Sequence, residues 1–199
     1  MRTGKSESKI SGEIILLMII FLIGLGVGAI LLKTATESQQ ATLKEITDGF
    51  IESRQSHTFI SNLCSSLFST SVFLIIAFFT GYFALGKPVA GLIPFFKGLG
   101  LGISMADIFS RYGKEGYLIC LVLILPSALI NSIAIIVASK EAAKNSAKIF
   151  SFLCGKEKDE NEEGISSGTY IIKFAVLFVI ALIGAVLDAG LAHFFAGML

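Results

Sequence analysis

The chain has 199 residues, 54% of them hydrophobic and 16% charged, with a net charge of +1; soluble domains run about 45–50% apolar and about 25% charged, so an ordinary soluble domain is excluded. No Lys/Arg-rich run with interleaved aromatics points to nucleic acid. The three cysteines, Cys64, Cys120 and Cys154, have no metal-binding spacing, and their odd number does not suggest a disulfide framework; they read as small apolar fillers.

Crossing ~30 Å of hydrocarbon takes ~20 helical residues at ~1.5 Å each. Five runs qualify: residues 14–32, 67–85, 89–109, 117–139 and 170–187. The expected fold is all-α, a single polytopic integral membrane domain over residues 1–199. It has about five transmembrane helices, one of them an interrupted span rich in glycine and proline.

Residues 1–13 form a short basic lead on the cytoplasmic side. The first run is longer than the ~7–15 apolar residues of a signal-peptide core and no A-x-A-like site follows it, so it is an uncleaved anchor. Within it, Gly24-x-x-x-Gly28 has the spacing that lets two helices approach closely. Packing inside the same bundle is favoured over a dimer contact, and a homo-oligomer stays open.

Residues 33–66 form the extracytoplasmic loop. Leu43, Ile46, Phe50, His57 and Ile60 recur at three-to-four spacing between Glu45, Asp48, Glu52 and Arg54, which predicts an amphipathic helix running into the second span. It suits a docking surface for an extracytoplasmic partner, and equally a helix lying at the lipid interface or over the bundle. His57 has no second histidine or cysteine near it in sequence, which argues against a metal site. Gly86-Lys87-Pro88 is expected to be the tight turn joining the second and third spans.

The third span contains Pro94, Lys97 and the glycines Gly98, Gly100 and Gly102. Lys97 would lie about 12 Å deep in a regular helix, where an unpaired charge costs ~2.5–3.5 kcal/mol on insertion scales. Three arrangements relieve that cost. The helix can break at Pro94, freeing carbonyls for Lys97 to cap; Lys97 can face water; or its stem can snorkel to the cytoplasmic surface. The charged turn Gly113-Lys114-Glu115-Gly116 opens the fourth span. Asp107 and Asp188 should both lie near the outer interface, with Arg111 and Lys114 as expected ion-pair partners for Asp188.

Residues 140–169 form a cytoplasmic loop. There Lys140, Lys144 and Lys148 make an i, i+4, i+8 stripe on a helix emerging from the membrane, suited to the anionic inner leaflet, and an acidic, polar stretch follows. Gly164-Ile165-Ser166-Ser167-Gly168 matches G-x-S-x-G formally, but a charged loop precedes it, and both histidines, His57 and His193, fall on the other side of the membrane. The match reads as coincidence. No H-E-x-x-H or P-loop occurs, so no catalytic, cofactor-binding or metal site is expected and the chain does not read as an enzyme. The last span carries Ala181, Gly184, Ala185 and Asp188 on one face.

Orientation follows the distribution of Lys and Arg. Arg2, Lys5, Lys9, Lys87, Lys173 and the lysines from Lys140 to Lys158 would share one side. Lys33, Lys44, Arg54, Arg111 and Lys114 would share the other. The larger set marks the cytoplasm, which places the N-terminus inside, the C-terminus outside, and the chain in the plasma membrane with lipid as its first partner.

Several of these features together resemble the stage II sporulation protein M family. They are Leu85-Gly86 before a proline; Phe96-Lys97-Gly98 with Gly102 four residues on; Gly113-Lys114-Glu115-Gly116; and Leu125-Pro126 followed by Asn131 and an aliphatic run. The likeness covers about residues 59–139 and departs from the family at Ser127-Ala128. Pro94, Lys97, Gly98, Gly102, Gly113, Gly116 and Pro126 are the candidate functional or packing residues. The resemblance implies a non-enzymatic membrane scaffold of the engulfment machinery in sporulation, holding extracytoplasmic proteins that degrade peptidoglycan. A membrane transporter or transporter accessory subunit is the alternative, motivated by Pro94, Lys97 and the glycines.

Overall fold

The computed structural model describes residues 3–34, 59–154 and 167–195. Within them run five long helices: α1 (Thr3–Thr34), α2 (Phe59–Thr80), α3 (Gly86–Ile119), α4 (Leu125–Leu153) and α5 (Ser167–Phe195). A five-residue π-helical segment, Cys120–Ile124, leads into α4. No strand occurs among the described residues, and each helix contains a stretch long and apolar enough to cross a membrane.

The most buried of the five is α4. Its small residues explain why: Ala134, Ala138 and Ala142 are fully or almost fully buried, and their slight bulk lets neighbouring helices close in. They join Leu74 and Ala77 of α2, Ala90 and Ile93 of α3, and Tyr170, Phe174, Leu177 and Ala181 of α5 in one core. On another face of α4, Ile136 packs against Leu17 and Phe21 of α1. Outward-facing Leu, Ile, Val and Phe side chains along the bundle form the surface that lipid would cover.

The third span is helical from Gly86 onward, and its stretch Gly86–Gly113 has the length and hydropathy of a full crossing. The turn before it is displaced from its expected place. Residues 81–85 make the turn, and Gly86-Lys87-Pro88 is the first turn of α3. The physical reason is capping: Pro88 lacks an N–H, and the first helical turn is where that donor is dispensable. The turn is fixed from outside, because Asn145 Nδ2 donates to the Gly81 carbonyl at 3.0 Å and Ser146 Oγ to the Ala84 carbonyl at 3.2 Å. Tyr170 Oη donates to the Phe78 carbonyl at 2.9 Å.

The helix expected to carry Lys140, Lys144 and Lys148 onward from the fourth span is present, as α4 runs unbroken to Leu153. Lys140 is buried there, so the lysine stripe is not a uniform lipid-facing face. Of the amphipathic stretch, residues 33–34 close α1 and 59–66 open α2; residues 35–58 lie outside the described residues, as does most of the G-x-S-x-G match. Cys120 is a buried filler, whereas Cys64 and Cys154 are exposed.

Candidate functional site

The central segment meets α1 through glycine on both sides. A Cβ on Gly24 would run into the carbonyl of Phe95, and one on Gly28 into that of Leu99; reciprocally, Gly98 faces the carbonyl of Phe21 and Gly102 that of Leu25. Thus Gly24-x-x-x-Gly28 and Gly98-x-x-x-Gly102 interlock backbone to backbone, the small-residue packing that brings membrane helices closest. The contacts advance together along both helices, so α1 and α3 run parallel. The glycines between them, Gly26 and Gly100, face open space. Spacing alone identified the α1 pair; its partner follows from the structure, and it is within the bundle.

Pro94 is fully buried one turn before Gly98 and on the same row. The helix does not break there: within α3 the non-helical backbone is at Gly113. Lys97 therefore does not cap carbonyls freed by a break at Pro94. Its ammonium lies 5.3 Å from the centroid of the Phe73 ring on α2, a cation–π contact that gains strength away from water. The side chain is half-buried.

At the other end of α3 the chain reverses at Gly113, with φ 54° and ψ −125°, a conformation that residues with a Cβ avoid. The reversal brings Tyr117 onto Phe109, ring centroids 4.5 Å apart and nearly parallel. It also sets Gly116 against the Ile108 backbone, where a Cβ would come within 2.8 Å of the carbonyl oxygen. Pro126 then sits in the first turn of α4, just beyond the π segment, so the helix re-forms around a residue that cannot donate.

Beside this reversal, polar groups are buried inside the bundle. Asp107 has no exposed surface, and Arg111 Nε stands 2.8 Å from its Oδ2, in ion-pair contact but not as an aligned hydrogen bond; Oδ1 has no hydrogen-bond partner. Asp188, also buried, accepts from Ser127 Oγ at 2.7 Å. The same hydroxyl has the Ile124 carbonyl at 3.1 Å, and the shorter contact to a carboxylate is the stronger. One turn along, Asn131 packs against Gly184, where a Cβ would meet its Oδ1. Arg111, an expected partner for Asp188, thus sets its Nε on Asp107.

Sequence reasoning expected both aspartates near the outer interface, and it named Ser127 and Asn131 only in the family likeness, giving neither a role beside Asp188. Their signal was available: polar residues four apart on an otherwise aliphatic helix. The arrangement can hold helix ends in register. Among the described residues no cluster of three or more His, Cys, Asp or Glu is placed to hold a metal.

Comparison with known proteins gives one finding. The family model described as Stage II sporulation protein M matches residues 17–190, which takes in all the candidate residues above. Neither a curated protein nor a solved structure matches the chain.

Proposed function

The chain belongs to the stage II sporulation protein M family, and on that premise we propose that it is a non-enzymatic membrane scaffold. It recruits extracytoplasmic peptidoglycan-degrading proteins during engulfment, from the plasma membrane, with its N-terminus in the cytoplasm and its C-terminus outside. The observation that carries this reading is the interlocked glycine pair. Helices that touch through four carbonyl contacts resist sliding, and a rigid frame is what a recruiting protein needs. The segment over residues 33–66 is the docking surface on this reading.

A second reading, a transporter or transporter accessory subunit, draws on Asp107. A buried carboxyl beside a helix reversal and a π segment has the features of substrate sites built from interrupted helices.

Affinity capture of the intact protein from membranes of sporulating cells tests the scaffold. Wall-degrading proteins are the expected catch, and their absence would overturn it. Lys97→Met separates the readings, because a scaffold keeps its partners with a neutral chain of similar shape. A transport subunit inserts normally and loses flux. Lys97→Arg, which keeps the charge over Phe73, controls for accumulation.

A further inference from the structure

Two short rows of residues face each other where α4 meets α5. Ser127 Oγ stands 2.7 Å from an Asp188 carboxylate oxygen. One turn further along α4, Asn131 lies against Gly184, one turn back along α5. The two helices are therefore antiparallel at this contact, and the four positions form one patch about 5.4 Å in height. None of Ser127, Asn131 and Asp188 is more than 5% exposed. Ala181, Ala185 and Ala189, buried beside them on α5, let the helices come close.

The chemistry of the patch is one-sided. Asn131 Oδ1 is buried and has no hydrogen-bond partner. It sits in the space that a Cβ on Gly184 would take, and the glycine Cα–H it faces is only a weak donor. One turn along are the Asp188 carboxylate, which can accept at about four positions, and the Ser127 oxygen. The carbonyl of Ile124, the last residue of the π segment, is 3.1 Å from that hydroxyl. Side chains lean toward the N-terminus of their own helix. In an antiparallel pair this tilt carries Asn131 toward the level of Ser127, and Asp188 toward the level of Gly184, so the amide oxygen and the carboxylate converge.

Oxygen acceptors gathered beside an interrupted helix suit a cation. The patch contains no His or Cys, which zinc and softer metals prefer, and its single carboxylate is too few for calcium. Alkali cations accept neutral amide, hydroxyl and main-chain oxygens. We propose that Asn131, Asp188 and Ser127 bind an alkali-metal cation between α4 and α5. The ion ties the first two turns of α4 to α5, a role that fits a scaffold and a transport subunit equally.

The test melts the full-length protein in phosphatidylcholine nanodiscs in sodium, potassium or choline chloride at equal ionic strength. The wild-type midpoint should climb with the logarithm of sodium or potassium concentration and stay level in choline; the salt that acts at lower concentration names the ion. Asn131→Leu, which keeps the bulk and drops the oxygen, should weaken the apparent affinity about tenfold or more. Asn131→Asp should keep the response, and Gly100→Ala, on α3 and away from the patch, should leave it unchanged. Lys114→Gln tests the rival occupant, an ammonium of the chain itself. An unchanged response in that variant supports the site, whereas a response seen only in that variant gives the oxygens to the lysine and overturns it. Equal midpoints in choline and alkali salts, or a full response in Asn131→Leu, also overturn it. Should Asn131→Leu fail to fold, radioactive sodium and rubidium at equilibrium decide: wild type retaining either one, with Ser127→Ala retaining less, supports the site, and wild type retaining neither overturns it.

Discussion

Alanine at Gly98 and alanine at Gly100 should move stability in opposite directions, although the two positions lie on one helix, two residues apart. At Gly98 the added methyl meets the Phe21 carbonyl oxygen and lies 3.1 Å from the Leu25 nitrogen, all backbone of α1. Backbone cannot rotate aside as a side chain does, so α1 must move outward as a body. Overpacking of this kind costs ~1–3 kcal/mol. Each Cα–H···O contact loosened adds a further ~0.5–1 kcal/mol. Helix propensity offsets about 0.8–1 kcal/mol of this, because alanine is the better helix former. With one such contact loosened, the net loss is about 0.5–3 kcal/mol. At Gly100 nothing lies within 4 Å of the new methyl, so the propensity gain stands alone. The chain has no tryptophan, but Cys120 is buried while Cys64 and Cys154 are exposed. With the exposed pair changed to serine, a thiol-reactive dye reports unfolding through Cys120. At roughly 2–4 °C per kcal/mol for a chain of this size, Gly98→Ala should lower the midpoint by several degrees and Gly100→Ala should raise it slightly. Equal shifts for the two would refute the interlocked arrangement of α1 and α3.

The same assay checks three further expectations. Ser127→Ala removes the hydroxyl 2.7 Å from the buried Asp188 carboxylate and should cost ~1–3 kcal/mol, whereas Ser127→Thr, which keeps the hydroxyl, should lose less. Gly113→Ala forces a Cβ into φ 54°, ψ −125° and should cost ~1–3 kcal/mol, seen as lower accumulation and a lower midpoint; an unchanged midpoint would mean the reversal is relaxed. Tyr170→Phe loses the hydroxyl that donates to the Phe78 carbonyl and also has the Ala77 carbonyl at 3.5 Å, about 0.5–1.5 kcal/mol, because the ring keeps its stacking on Phe78.

Much of this molecule could be read before its structure was known, for a simple reason. Lipid offers no partner for backbone polar groups, so helices of sufficient length are obligatory and hydropathy alone finds them. The α1 glycine pair and the small-residue face of α5 were legible for the same reason, since close approach has a four-residue signature. Helix ends were less legible. Phe83 and Leu85 prolong the apolar run past the true end of α2, and the capping groups that fix that end, Asn145, Ser146 and Tyr170, come from distant helices. Lys140 could not be seen as buried either, because its stripe with Lys144 and Lys148 reads as a surface face. Ser127, at the point where the chain departs from the family pattern, looked incidental and is the donor to Asp188.

The parallel match of α1 with α3 also bears on how the protein is made. α1 leaves the ribosome before α3, yet its glycine face has no seat until α2 and α3 have followed it into the bilayer. Through that interval the first segment must wait in lipid or against the insertion machinery with its backbone uncovered. Nascent chains cut short after α2 should therefore be handed to membrane proteases, while those that reach Gly102 should survive.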